Sequence, residues 1–89
     1  MIHKKIRVSG RVQGVYFRAS TVDVAKSIGL KGFVLNESSG SVYMEIEGDD
    51  AQVDQMIEWA RKGPPMARVE SLDVKDGDLV GFKTFDIRR

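Results

Sequence analysis

The chain has 89 residues, 42% of them hydrophobic and 30% charged, with fourteen Lys and Arg against thirteen Asp and Glu for a net charge of +1. A chain this short buries roughly 60 to 68% of its unfolded surface, enough for one modest core, so a single domain spanning residues 1–89 is expected. The near-balanced charge supplies no long-range field for gripping a polyanion, and zero cysteines with one histidine exclude disulfides, thiolate nucleophiles and the usual metal centres, so no metal and no cofactor are expected.

In chain order, "MIHKKIRV" carries two lysines but no following apolar run of signal-peptide or membrane length, so a cytoplasmic protein off the membrane is expected. From Lys5, "KIRVSG" alternates Ile6 and Val8 against Lys5, Arg7 and Ser9, the pattern of a strand with one wet face. His3, so near the start, is expected to be a poorly ordered bystander. A loop follows, and then "STVDVAKSIG" places Thr21, Val24, Ala25 and Ile28 at helical spacing, with Ser20 and Asp23 resembling a capping box and Gly29 as the stop. "LKGFVLN" and "SVYMEIEG" flank the turn "SSG" and predict a hairpin. A second helix opens at Asp49 and Asp50, shows the stripe Val53, Met56, Ile57 and Ala60, and ends at Arg61 and Lys62 before "GPP". In the remainder, two β-like runs surround "DGD", and Val69 is out of phase with Leu72, which predicts a bulge. The order is βαββαβ with a fifth strand at the end: an α+β, ferredoxin-like plan, two helices on one face of an antiparallel four- to five-stranded sheet.

The loop "SGRVQGVYFRAST" is the first candidate site. A helix start offers unpaired N–H groups and the positive end of a dipole, and glycine lets the preceding loop turn its own N–H groups inward. Arg18 adds a planar fork able to bind two phosphate oxygens at once. An ordinary β–α turn whose arginine covers apolar surface reads the same residues equally well, and neither GxxxxGK[ST] nor GxGxxG is present. Asn36, closing the second strand, is either turn chemistry or an amide that orients water. Trp59 lies off the stripe of helix two, as a lid on the core edge or a partner surface. Glu45 and Glu47 share an outward strand face with Tyr43, a solvated pattern that lacks the burial acid–base catalysis would need.

"GRVQGVYFR" (10–18), "KGFVLNESSGSV" (31–42) and "KGPPMARV" (62–69) together resemble the acylphosphatase family over nearly the whole chain. The resemblance implies a hydrolase of acyl phosphates. It places a backbone phosphate cradle at Gln13, Gly14, Val15, Tyr16 and Phe17 up to Arg18, gives Arg18 the phosphoryl oxygens, and gives Asn36 the attacking water. The chain departs from the family pattern at Tyr16, where glycine is common though aromatics also occur, at Leu35, where arginine is frequent, and at Glu37–Ser39, which replaces a common Leu-Pro-Asp turn.

Such a reaction needs few groups. The leaving carboxylate, with a conjugate-acid pKa near ~4 to 4.5, departs unprotonated, and a loose phosphoryl transition state rewards positioning and fixed donors. The expected partners are an acyl phosphate and inorganic phosphate, with no nucleic acid, no membrane and a monomeric chain. Two rivals share the fold: a non-catalytic acylphosphatase-like regulatory module, and an RNA-binding module, against which the glutamates flanking Tyr43 and the charge of +1 both argue.

Overall fold

Strand β1 runs Ile2–Arg11 in the computed structural model of the chain, which describes residues 1–89. Helix α1 follows at Phe17–Ile28, then β2 (Lys31–Asn36), β3 (Val42–Gly48), α2 (Asp50–Lys62), β4 (Arg68–Gly77) and β5 (Phe85–Arg88). The sheet order is β4-β1-β3-β2-β5. Each neighbouring pair among the first four strands is antiparallel, as expected for the ferredoxin-like plan, but β5 pairs parallel to β2, so the sheet is mixed rather than antiparallel. The reason is the route of the chain: residues 78–84 cross the outer face of the sheet, and the chain re-enters at the free edge of β2, running the same way.

Alternation decides which face is dry. Ile6 and Val8 of β1, Val34 of β2 and Val42, Met44 and Ile46 of β3 are buried against Ala25 of α1 and Val53, Met56 and Ala60 of α2 in one cluster. Asp49 caps α2 through a reciprocal box with Gln52: its side chain accepts from the Gln52 amide at 2.8 Å, and the Gln52 side chain accepts from the Asp49 amide at 2.9 Å. Gly29 closes α1 in the left-handed conformation (φ 93°) that spares a glycine any Cβ clash, and its amide donates to Ala25 and Lys26. The bulge expected near Val69 is present: Ser9 pairs with Ser71 but Gly10 with Val69, leaving Glu70 as the extra residue. That extra residue returns Val69 to the face of Leu72 and Val74, and all three pack on the core. Trp59 tilts against Phe17 at 5.4 Å as a lid on the core edge.

Three further expectations are corrected. The Ser20/Asp23 capping box is absent, because α1 starts one turn earlier; Tyr16 takes the cap position without a side-chain bond, and the Ser20 amide donates back to its carbonyl. His3 is an ordered, buried residue of β1 rather than a frayed bystander. Glu47 is likewise buried, despite standing on the outward face. Both reversals come from the 78–84 segment, which lays the amides of Val80, Gly81 and Phe82 on the Glu47 carboxylate (2.5, 3.0 and 3.0 Å) and the Phe82 ring on His3. His3 bridges the two acids, with Nδ1 2.7 Å from Glu47 and Nε2 2.8 Å from Glu45. No helix is long and apolar enough to cross a membrane.

Candidate active site

The topology brings three strand ends and one helix start to the same end of the sheet. β1, β2 and β5 run in one direction, with α1 returning the opposite way over β2 and β5. The carboxyl ends of those strands therefore meet the first turn of α1. There a cleft of about 390 Å³ is lined by Gly14, Tyr16, Arg18 and Asn36, with Ile87 and Arg89 from the end of the chain.

The loop feeding α1 is pinned by its apolar residues. Val12, Val15 and Phe17 are buried, while Gly14 and Tyr16 between them are exposed. This alternation needs left-handed backbone at both exposed positions: Gly14 has φ 75° and Tyr16 φ 64°, the only positive φ at a non-glycine residue. The amides of Gln13, Gly14, Val15 and Tyr16 donate to no other group of the protein. Such a run of unpaired N–H groups, opening into a helix N-terminus, forms a concavity suited to an anion.

Arg18, in the first turn of α1, is half-buried and takes part in no ion pair. Asn36 ends β2 opposite Val42. Its Oδ1 is the one buried side-chain polar atom of the protein without a hydrogen-bond partner. An unmet buried acceptor costs about 1–3 kcal/mol, so its retention beside an unpaired guanidinium points to a guest in the cleft.

Side chains unremarked in the sequence organise this end of the molecule. Gln13 reaches across with its amide nitrogen, donating to the carbonyls of Glu37 (2.8 Å) and Ser41 (3.0 Å), and so ties the loop to the β2–β3 turn that directly follows Asn36. Glu37, adjacent to Asn36, is held away by a two-point bond from Arg7: Nε to Oε1 at 2.7 Å and Nη2 to Oε2 at 2.9 Å. The Arg7 bond lowers the Glu37 carboxyl below its usual range, and the same pairing raises Arg7. Ile87 and Arg89 were legible only as the tail of a fifth strand; their place at the cleft depends on the parallel pairing of β5. Glu45 and Glu47 lie among His3 and the 78–84 segment and do not line the cleft.

These features define a class: a small α+β sandwich that presents a β–α loop of unpaired amides, one free guanidinium and one free carboxamide at the carboxyl ends of its strands. The acylphosphatase family model matches residues 4–87. The acylphosphatase of Methylococcus capsulatus is 45% identical over 85 residues, covering 94% of this chain and 92% of that protein. That of Acaryochloris marina is 46% identical over 85 residues, covering 96% and 91%. The crystal structure of the acylphosphatase from Bacillus subtilis superposes with a TM-score of 0.97 at 32% identity, over 100% of both chains. The chain belongs to the acylphosphatase family.

Proposed function

We propose that residues 1–89 act as one monomeric cytoplasmic domain that hydrolyses acyl phosphates to carboxylate and inorganic phosphate, by in-line attack of water on phosphorus. Family membership supports the reaction, and the cleft supports the roles of its residues. The phosphoryl group sits in the loop of Gln13–Phe17, where free amides face its oxygens, and Arg18 clamps two of them with its planar fork. Asn36 accepts a hydrogen bond from the attacking water through Oδ1 and aims it along the line of the scissile P–O bond. The P–O bond to the acyl oxygen breaks, and the carboxylate leaves with its electron pair and needs no proton. Water delivers oxygen to phosphorus and its proton passes to the phosphate product. No metal or cofactor enters this scheme.

The observation that carries the reading is that Asn36, whose buried Oδ1 has no hydrogen-bond partner, lines the same cleft as the unpaired Arg18. The outer sheet face supports a protein without a nucleic-acid partner, because the rings a base would stack on are already covered. Arg7 lies 5.1 Å over Tyr43, and Arg88 lies 3.9 Å over Phe33. The test is a substrate panel. Benzoyl phosphate is expected to be turned over and inorganic phosphate to inhibit competitively, whereas an alkyl phosphate and a nucleoside triphosphate are expected to be spared. An alkyl phosphate hydrolysed as fast as benzoyl phosphate overturns the mechanism, since an alkoxide leaving group needs an acid the cleft lacks.

A further inference from the structure

A tyrosine in the left-handed region costs about 1–2 kcal/mol over glycine, and a fold keeps such strain only where something repays it. Tyr16 is that residue here, and nothing within the protein uses its ring: it is 80% exposed. It also takes part in none of the side-chain hydrogen bonds or ring contacts of the chain. Its ring lines the cleft. A second large apolar side chain left exposed, Ile87 at 43%, lines the same cleft from the end of β5. The two stand 71 positions apart in the chain and are brought together only because β5 runs parallel to β2.

The lining is therefore of two kinds: the polar groups of Arg18 and Asn36 with Gly14 of the loop, and two exposed apolar side chains, an aromatic ring and a branched aliphatic chain. Phosphate has no use for apolar walls, but the acyl group of a substrate held in this cleft by its phosphoryl end has to be accommodated beside them. Arg89 also lines the cleft; a charge there bears alike on every acyl phosphate, since all carry the same dianion, and so does not sort one acyl group from another.

Resting on the acyl phosphate reading above, we infer that Tyr16 and Ile87 form an acyl-group subsite that selects aromatic and branched apolar acyl phosphates over short acyl phosphates such as acetyl phosphate. The contribution of each wall is that of an aromatic or aliphatic contact desolvated on binding, about three- to tenfold in kcat/KM.

The experiment compares kcat/KM for benzoyl phosphate and acetyl phosphate in the unaltered protein, in Tyr16→Gly, which keeps the left-handed backbone while deleting the ring, in Tyr16→Phe and in Ile87→Ser. The unaltered protein is expected to favour benzoyl phosphate. The ratio is expected to fall about three- to tenfold in Tyr16→Gly and in Ile87→Ser and to be restored in Tyr16→Phe, with inhibition by inorganic phosphate unchanged in Ile87→Ser. Equal use of the two substrates by the unaltered protein, or a ratio untouched by both Tyr16→Gly and Ile87→Ser, overturns the subsite and leaves the hydrolase reading standing. Turnover of neither substrate by the unaltered protein overturns the hydrolase reading, and the subsite falls with it.

Discussion

Arg18 and Asn36 line the same cleft, the proposed mechanism asks different things of them, and the difference is measurable. Arg18→Lys keeps one positive charge while losing the planar fork, so kcat/KM for benzoyl phosphate is expected to fall by about 10²–10³-fold together with weaker inhibition by phosphate. In that mechanism Asn36→Ala removes only the acceptor proposed for the water: kcat is expected to fall by a similar factor with phosphate inhibition within about twofold of the unaltered protein. Steady-state kinetics with phosphate as inhibitor separate the two, and unchanged kcat in Asn36→Ala would remove the amide from the mechanism. Arg7 acts one step further out. Its two-point bond neutralises Glu37, whose carboxylate otherwise stands one residue from Asn36 and repels a dianionic substrate. Arg7→Met is expected to raise KM about two- to fivefold at low ionic strength with kcat nearly constant, and added salt is expected to shrink the effect by screening the freed charge. A KM insensitive to both the substitution and salt would show that Glu37 exerts no field on the site.

At the scale of elements, the site depends on how the loop before α1 is held against the hairpin of β2 and β3. The Gln13 side chain is the tie, and its two acceptors lie on the turn immediately after Asn36. Gln13→Leu keeps the loop backbone and its amides, so phosphate inhibition is expected to hold within about twofold, while the Asn36 amide, proposed to hold the water, loses its register and kcat is expected to fall about tenfold. A loss confined to phosphate affinity would instead mean that Gln13 shapes the cradle alone. The sequence made the strand–loop–helix order readable, because alternation and helical spacing are local signals, and it placed Arg18 and Asn36 on the elements that line the cleft, while their roles came only from the resemblance carried by "GRVQGVYFR" and "KGFVLNESSGSV". It did not make the start of α1 readable. Ser20 and Asp23 imitate a cap, yet the anchors Val12, Val15 and Phe17 draw the chain into the core a turn earlier, and burial of three apolar side chains outweighs a cap of about 1 kcal/mol. Nor was the reach of Gln13 readable, since its partners lie 24 and 28 residues away.

The whole molecule is closed by its last dozen residues, and there a strand pattern misleads for a physical reason. The alternation Tyr43, Glu45, Glu47 describes an outward face correctly, but outward is not wet once residues 78–84 cross it. Glu47 is what holds that segment down, and through it β5 with Ile87 and Arg89 at the cleft. Burial by itself pushes the Glu47 carboxyl up; the donors from Val80, His3, Phe82 and Gly81 together outweigh it and hold the pKa at about 2, below the ordinary 4.5. A folded-state value depressed in this way contributes stability that is complete above about pH 4.5 and is lost as pH falls through about 2. Glu47→Gln keeps the shape and an acceptor oxygen but not the charge, with His3 still bound to Glu45. At pH 7 the variant is expected to be less stable by about 2–3 kcal/mol, the usual worth of hydrogen bonds to a charged group, and more open to proteolysis between Gly77 and Phe85. Urea denaturation at pH 7, 4 and 2.5 checks the sign: the gap between the two proteins should be widest at pH 7 and should close toward pH 2.5, because protonation takes from the unaltered protein what the variant never had. A gap of constant size across that range would assign the loss to packing, and the 78–84 segment would then be held by the Phe82 ring against His3 and Phe33 rather than by the buried carboxylate.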